Sequence, residues 1–190
     1  MTEKKKLVVG ISGASGATLG VSILKVLKSL PDWESHLVLT HSAELTISYE
    51  LNQTMETVLS LADVVHPIND VAASISSGSF KTEGMIIAPC SMKTVAGIAC
   101  GYSDNLLLRA ADVVIKERRK LVLLPRESPI STIHLRNLLT LSELGAIVVS
   151  PVPAFYQHPK SIDDVINHIV GRTLSYFDIE KDMYKPWTGQ

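Results

Sequence analysis

Short runs of nearly continuous Val, Ile and Leu recur along the chain, separated by longer segments in which apolar residues return every three or four positions. The runs at 7–11, 36–40, 85–88, 121–124 and 146–149 lack polar alternation, as parallel strands buried on both faces do, and a weak sixth lies at 64–66. Helical period marks 17–30, 43–50, 55–62, 93–100, 105–119, 132–144 and 162–177. Gly145 suits a helix stop, and Ser161 followed by Asp163 and Asp164 suits a helix start. Strand and helix alternate throughout, with no repeat and no linker, which predicts one doubly wound α/β domain of three layers with a parallel sheet. Such sheets bind ligands beyond the carboxyl ends of their strands, so the residues after each strand are where chemistry is sought.

After the first strand, Gly10, Gly13 and Gly16 surround Ser12, Ala14 and Ser15 and open a helix. Closely spaced glycines allow tight backbone approach, and free N–H groups at a helix start suit a phosphate. The spacing is that of neither a dinucleotide fingerprint nor a nucleoside triphosphatase loop. An ordinary turn with a serine cap is the bland alternative. A second polar turn, Cys90-Ser91-Met92-Lys93-Thr94, follows a later strand. Cys90 has no histidine near it in sequence and reads as a small buried hydrophobe. Glu50, taken alone, reads as a solvated carboxylate at a helix end.

Composition narrows the class. With 46% hydrophobic residues and 18 Lys+Arg against 19 Asp+Glu over 190 residues, the chain should fold, and it lacks the basic excess of a duplex-binding protein. No apolar run approaches the ~20 residues of a membrane helix, and the charged start runs straight into a strand, which reads as a cytoplasmic protein. Two cysteines make neither a disulfide framework nor a four-ligand metal site. Neutrality hides local structure: between 109 and 126, Arg109, Lys116, Arg118, Arg119, Lys120 and Arg126 face only Asp112 and Glu117. Arg109 and Lys116 share a helix face, and Arg126 follows a strand. Convergence of these three on a phosphate and a solvated cationic face are equally compatible with the pattern. Six of ten aromatic residues lie between 155 and 190. They read as packing for the last helix or a neighbouring subunit, or as an aromatic wall beside a carbocation or a flat aromatic ring such as a flavin.

Five segments in order, GISGASG at 10–16, ISSGSF at 75–80, IAPCSMKT at 87–94, RAADVVIKERRKLVLLPRE at 109–127 and PAFYQHP at 153–159, make the chain resemble the UbiX-like flavin prenyltransferases along essentially its whole length. Some members of that family have been named as subunits of phenolic acid decarboxylases. The resemblance implies a single Rossmann-like domain over 1–190 of the flavoprotein (HFCD) type. Its tail, 178–190, would pack on a neighbour in a homo-oligomer, usually a dodecamer. It implies transfer of a dimethylallyl group from dimethylallyl phosphate to N5 and then C6 of reduced FMN, without a metal. Prenylated FMN would then pass to a UbiD-like decarboxylase. By position, Gly13, Ala14, Ser15, Thr40, Ser91, Met92, Lys93, Thr94 and Arg126 would hold FMN. Lys116, Arg126, Glu127, Tyr156 and Arg172 would surround the donor phosphate, with Arg109 close by. Glu50 matches the acid/base carboxylate, Ser15 joins it among the catalytic positions, and Trp187 matches a tail aromatic lining the prenyl site of another chain. The C6 proton would go to Glu50, Glu127 or the released phosphate. Thr40 stands where relatives often have Ser, and Val71 where some place an aromatic. A non-catalytic flavin carrier or accessory subunit of a phenolic acid decarboxylase and an FMN-dependent cysteine decarboxylase are the competing readings; the last has no use for the cations at 109–126.

Overall fold

The computed structural model describes residues 3–180, 183, 184 and 189. The strands are β1 (Lys5–Ile11), β2 (Trp33–Leu39), β3 (Val64–His66), β4 (Gly84–Cys90), β5 (Lys120–Pro125) and β6 (Ile147–Val148). They form one sheet in the order β3-β2-β1-β4-β5-β6, and every neighbouring pair is parallel. The helices are α1 (Ala17–Lys28), α2 (His41–Glu50), α3 (Met55–Leu59), α4 (Met92–Ala99), α5 (Leu106–Lys116), α6 (Thr132–Glu143) and α7 (Ile162–Leu174).

The continuous apolar runs follow from burial on both faces. Along β1, Leu7, Val9 and Ile11 point into a core shared with α1, α2, α3 and α7, while Val8 points into a second core shared with α4, α5 and α6. This is the three-layer Rossmann-like arrangement that the pattern predicts. Gly145 has φ +92 just past α6, and Ser161 and Asp164 form a capping box on α7. The order of strands reverses between β1 and β4, so the loops after these two strands border a crevice at the carboxyl edge of the sheet.

Element ends shift for identifiable reasons. α5 stops at Lys116 rather than 119 because Arg118 takes φ +58, which turns the chain into β5. The run expected to 177 leaves α-helical form after Leu174 and tightens into a 3₁₀ turn at Ser175–Phe177. β4 runs on through Pro89, where the register with β5 shifts between Ile87 and Cys90, since proline has no N–H for the ladder. The described part of the 178–190 tail packs on its own chain: Ile179 is buried in the first core, and Met183 and Tyr184 lie against Gly171 of α7.

Candidate functional site

The crevice is built from helix starts. Thr40, Ser91 and Asn105 cap α2, α4 and α5, accepting from the N–H of Ala43 (3.1 Å), Thr94 (3.3 Å) and Leu108 (3.1 Å). Each first turn retains N–H groups without an intrahelical partner. The three caps line one cavity of about 320 Å³, together with Gly13 and Lys93. Gly13 is required there, because a Cβ would sit 2.2 Å from the Cβ of Ser42. Met92 is buried in the second core, so only its backbone is available to a ligand. Ser42, Asn69, Asp104 and Asn105 also line this cavity and escape the sequence reading; only Asn105, poised before an apolar run, carries a local signal.

Ser12 joins the two crevice loops. Its hydroxyl donates to the carbonyl of Pro89 (3.1 Å) and accepts from the N–H of Ser91 (2.7 Å). It is therefore a buried bracket and not a free donor, whereas Ser15 is exposed.

Two expectations at the glycine loop change. No serine caps α1; its cap position is Gly16, at φ +100 with no side-chain bond. Glu50 is not a merely solvated carboxylate. Its Oε2 accepts from the N–H of Gly16 (2.9 Å) and of Ala17 (2.9 Å), and its Oε1 lies 3.2 Å from the former. The carboxylate at the end of α2 thus fills the anion position at the start of α1, leaving the α2, α4 and α5 starts to face the cavity.

The cations at 109–126 divide. Arg126 follows β5 and its N–H donates to the carbonyl of Cys90 (3.1 Å), so it stands beside the Ser91 turn with Glu127 next to it. α5 starts at the cavity and runs back about 16 Å to the opposite edge of the sheet, which carries Lys116 away from Arg126. Convergence of Arg109, Lys116 and Arg126 in one chain is therefore not what the fold produces. Arg109 and Lys116 do share a face, turned toward the 74–80 segment: Arg109 Nε donates to the carbonyl of Ser76 (3.1 Å) and its guanidinium pairs with Asp112 (2.7 Å). Lys116 pairs with Glu117 (2.5 Å).

Tyr156 and Arg172 share a site. They line a separate, mostly apolar cavity of about 450 Å³ with Phe155, Val152 and His168. Arg172 lies 4.6 Å from the ring centre of Tyr176 and donates to Ser175 (3.1 Å). Trp187 lies outside the described residues. Cys90 is fully buried, and burial pushes its thiol far above the ordinary range, so it is no nucleophile. Among the described residues no group of three or more His, Cys, Asp or Glu is placed to hold a metal, and no helix is long and apolar enough to cross a membrane.

Comparison with known proteins agrees with the motif pattern. The family model described as Flavoprotein matches residues 1–174. Flavin prenyltransferase UbiX of Escherichia coli (strain K12) is 53% identical over 187 residues, covering 97% of this chain and 99% of the relative. A dodecameric FMN-dependent UbiX-like decarboxylase from Escherichia coli O157:H7 superposes with a TM-score of 0.95 at 53% identity, covering 97% of this chain and all of the other. AnUbiX (PadA1), solved with FMN and dimethylallyl pyrophosphate, gives a TM-score of 0.96 at 49% identity, covering 99% and 100%. With its parallel sheet and its glycine, serine and cationic segments in family order, the chain belongs to the UbiX-like flavin prenyltransferases.

Proposed function

We propose that this protein joins the dimethylallyl group of dimethylallyl phosphate to reduced FMN, at N5 and then C6, and that prenylated FMN passes to a UbiD-like decarboxylase in the cytoplasm. The observation that carries the proposal is the cavity at the crevice, where three capped helix starts, Gly13 and Lys93 supply amide donors and one cation. That donor set fits the phosphate end of FMN, and the 2.2 Å that a Cβ at Gly13 would leave to Ser42 measures how closely the loops must approach. When bound, reduced flavin supplies a nucleophilic nitrogen and a ring carbon that carries a proton.

The chain's own residues supply the rest. Thr40, Ser91, Met92, Lys93 and Thr94 hold the flavin phosphate, with Gly13, Ala14 and Ser15 against the flavin and Arg126 at the end of β5. Leaving of the allylic phosphate requires its growing charge to be met by fixed cations and donors, a role for Lys116, Arg126, Tyr156 and Arg172, with Arg109 nearby. These groups suffice without a metal. Lys116 and Arg126 stand at opposite sheet edges of one chain, so their joint use calls for subunits packed edge to edge in a dodecamer, with Trp187 closing a neighbour's pocket. Glu50, Glu127 or the released phosphate would take the C6 proton; Glu127 commits one oxygen to the N–H of Ser128 (3.0 Å).

The test is anaerobic incubation with reduced FMN and either dimethylallyl phosphate or the diphosphate, with and without chelator, followed by mass spectrometry of released flavin. Flavin heavier by one prenyl unit, formed from the monophosphate in chelator, is expected. Unchanged flavin mass under saturating donor would overturn the proposal in favour of a flavin carrier.

A further inference from the structure

Two arginines of the 109–126 stretch are already occupied, and what occupies them points to a role apart from phosphate binding. Residues 74–80 run beside α5 with three of their carbonyls engaged. Those of Ser76, Gly78 and Phe80 all turn toward guanidinium groups: Arg109 Nε to Ser76 (3.1 Å), and Arg119 Nη2 and Nη1 to Gly78 (2.6 Å) and Phe80 (2.8 Å). Between these carbonyls, the hydroxyls of Ser77 and Ser79 point together, 2.9 Å apart. The ends of the segment are fixed too. Ile75 is buried, and the Phe80 ring stands edge-on to His36 at 5.2 Å with the Lys6 ammonium 5.7 Å away.

The middle of the clamped segment carries the consequence. A Cβ at Gly78 would lie 2.2 Å from Glu117 Oε1 and 2.8 Å from Lys116 Nζ, so the Lys116–Glu117 pair rests directly on the Gly78 backbone. A flexible lysine at a helix end ordinarily samples many rotamers, and holding it in one costs entropy. Here a backbone floor and a carboxylate 2.5 Å away restrict it, and the floor is held in place by the two-pronged hydrogen bonding of Arg119.

We propose that Arg119 is a positioning residue for prenyl transfer: by clamping the carbonyls of Gly78 and Phe80 it fixes the surface on which Lys116 sits, and so the point from which Lys116 meets the donor phosphate. This rests on the reading that Lys116 belongs to the donor site. Arg119 itself touches neither flavin nor donor. A planar guanidinium reaches two carbonyls at once, which a lysine cannot do.

The test compares Arg119→Lys, Gly78→Ala and Lys116→Ala, alone and in pairs, in the full-length protein. FMN affinity serves as the control for an intact flavin site, and donor KM and kcat are the readouts. Gly78 lies outside the left-handed backbone region, so alanine there keeps the backbone and displaces only the ends of Lys116 and Glu117. That variant carries the test independently of any folding cost at Arg119. Arg119→Lys and Gly78→Ala should each raise donor KM by about tenfold, the size of one hydrogen bond to a charged group, with FMN affinity unchanged. Both effects should vanish in the Lys116→Ala background, because nothing remains to be positioned. If Arg119→Lys and Gly78→Ala keep their full effect there, or leave donor KM alone while Lys116→Ala raises it, the positioning role is wrong and the donor-site reading stands. If Lys116→Ala itself leaves donor KM unchanged, the donor-site reading fails.

Discussion

Glu50 is the residue whose place in the structure departs furthest from what its local sequence implies, and its removal tests the geometry directly. α1 begins at Gly16 without a side-chain cap and has no acidic residue in its first turn. The Glu50 carboxylate, arriving from α2, accepts from the N–H of Gly16 and Ala17 at 2.9 Å each. Loss of a cap costs about 1 kcal/mol, and loss of a carboxylate from a helix start about 0.3 to 1 kcal/mol more. Glu50→Ala should therefore destabilise the fold by about 1 to 2 kcal/mol. For a chain of this size that is roughly 2 to 8 °C in Tm, measured at fixed protomer concentration because assembly also shifts Tm. Glu50→Gln keeps a neutral acceptor and should lose about half as much.

The sharper outcome concerns anions. With the carboxylate gone, two N–H groups and the positive end of α1 stand open, so formate or phosphate should raise the Tm of Glu50→Ala more than that of the unaltered protein. Prenyl transfer should fall in both variants, and formate should recover stability in Glu50→Ala. Equal Tm values for all three proteins, with the same response to formate, would refute the assignment of Glu50 as the cap of α1 and leave it only a chemical role.

Three further expectations follow from packing and burial. Gly20→Ala should destabilise by about 1 to 3 kcal/mol in urea unfolding, because its Cβ would lie 2.2 Å from the Ala88 carbonyl oxygen, a backbone atom of β4 that cannot swing aside. Cys90 should stay unreacted with a thiol reagent in the folded protein while the exposed Cys100 reacts, and both should react after unfolding. His66 is held below its ordinary value by burial first and then by the facing His36. The unfolded chain therefore takes up a proton near pH 6.5 that the folded one resists, and stability should be intact above that pH and decline below it. The decline should flatten in His66→Gln, read as Tm against pH.

Most of the architecture is legible along the chain because its causes are local. A strand buried on both faces must be apolar at every position, and even the partly exposed edge strand β3 leaves a short trace in Val64 and Val65. Caps are local as well: Ser161 with Asp164, and Gly145 after α6, act within four residues of themselves. The site is less legible because its decisive contacts are long. Glu50 and Gly16 are 34 positions apart, and nothing in the surroundings of Glu50 announces that α2 ends over the start of α1. Ser12 looks like a free hydroxyl until its partners Pro89 and Ser91, nearly 80 positions on, are brought beside it.

The cationic stretch shows how far one-dimensional density misleads. Its charge is crowded between 109 and 126 because α5 and the turn into β5 fall there, yet that helix spans the sheet from one edge to the other. Charges adjacent in sequence are thereby parted in space. Arg126 stays at the crevice; Arg109 and Arg119 spend their donors on the carbonyls of 76–80; Lys120 binds the carbonyl of Tyr176 at 2.6 Å. Lys116, by contrast, pairs its ammonium with one adjacent carboxylate, whereas Arg119 bridges two part-buried backbone carbonyls at once. On the donor-site reading proposed above, an incoming phosphate would compete only with Glu117 for Lys116, whereas displacing Arg119 would release two backbone carbonyls. The same crowding of charge thus yields an arginine that bridges backbone carbonyls and a lysine held by a single neighbouring carboxylate.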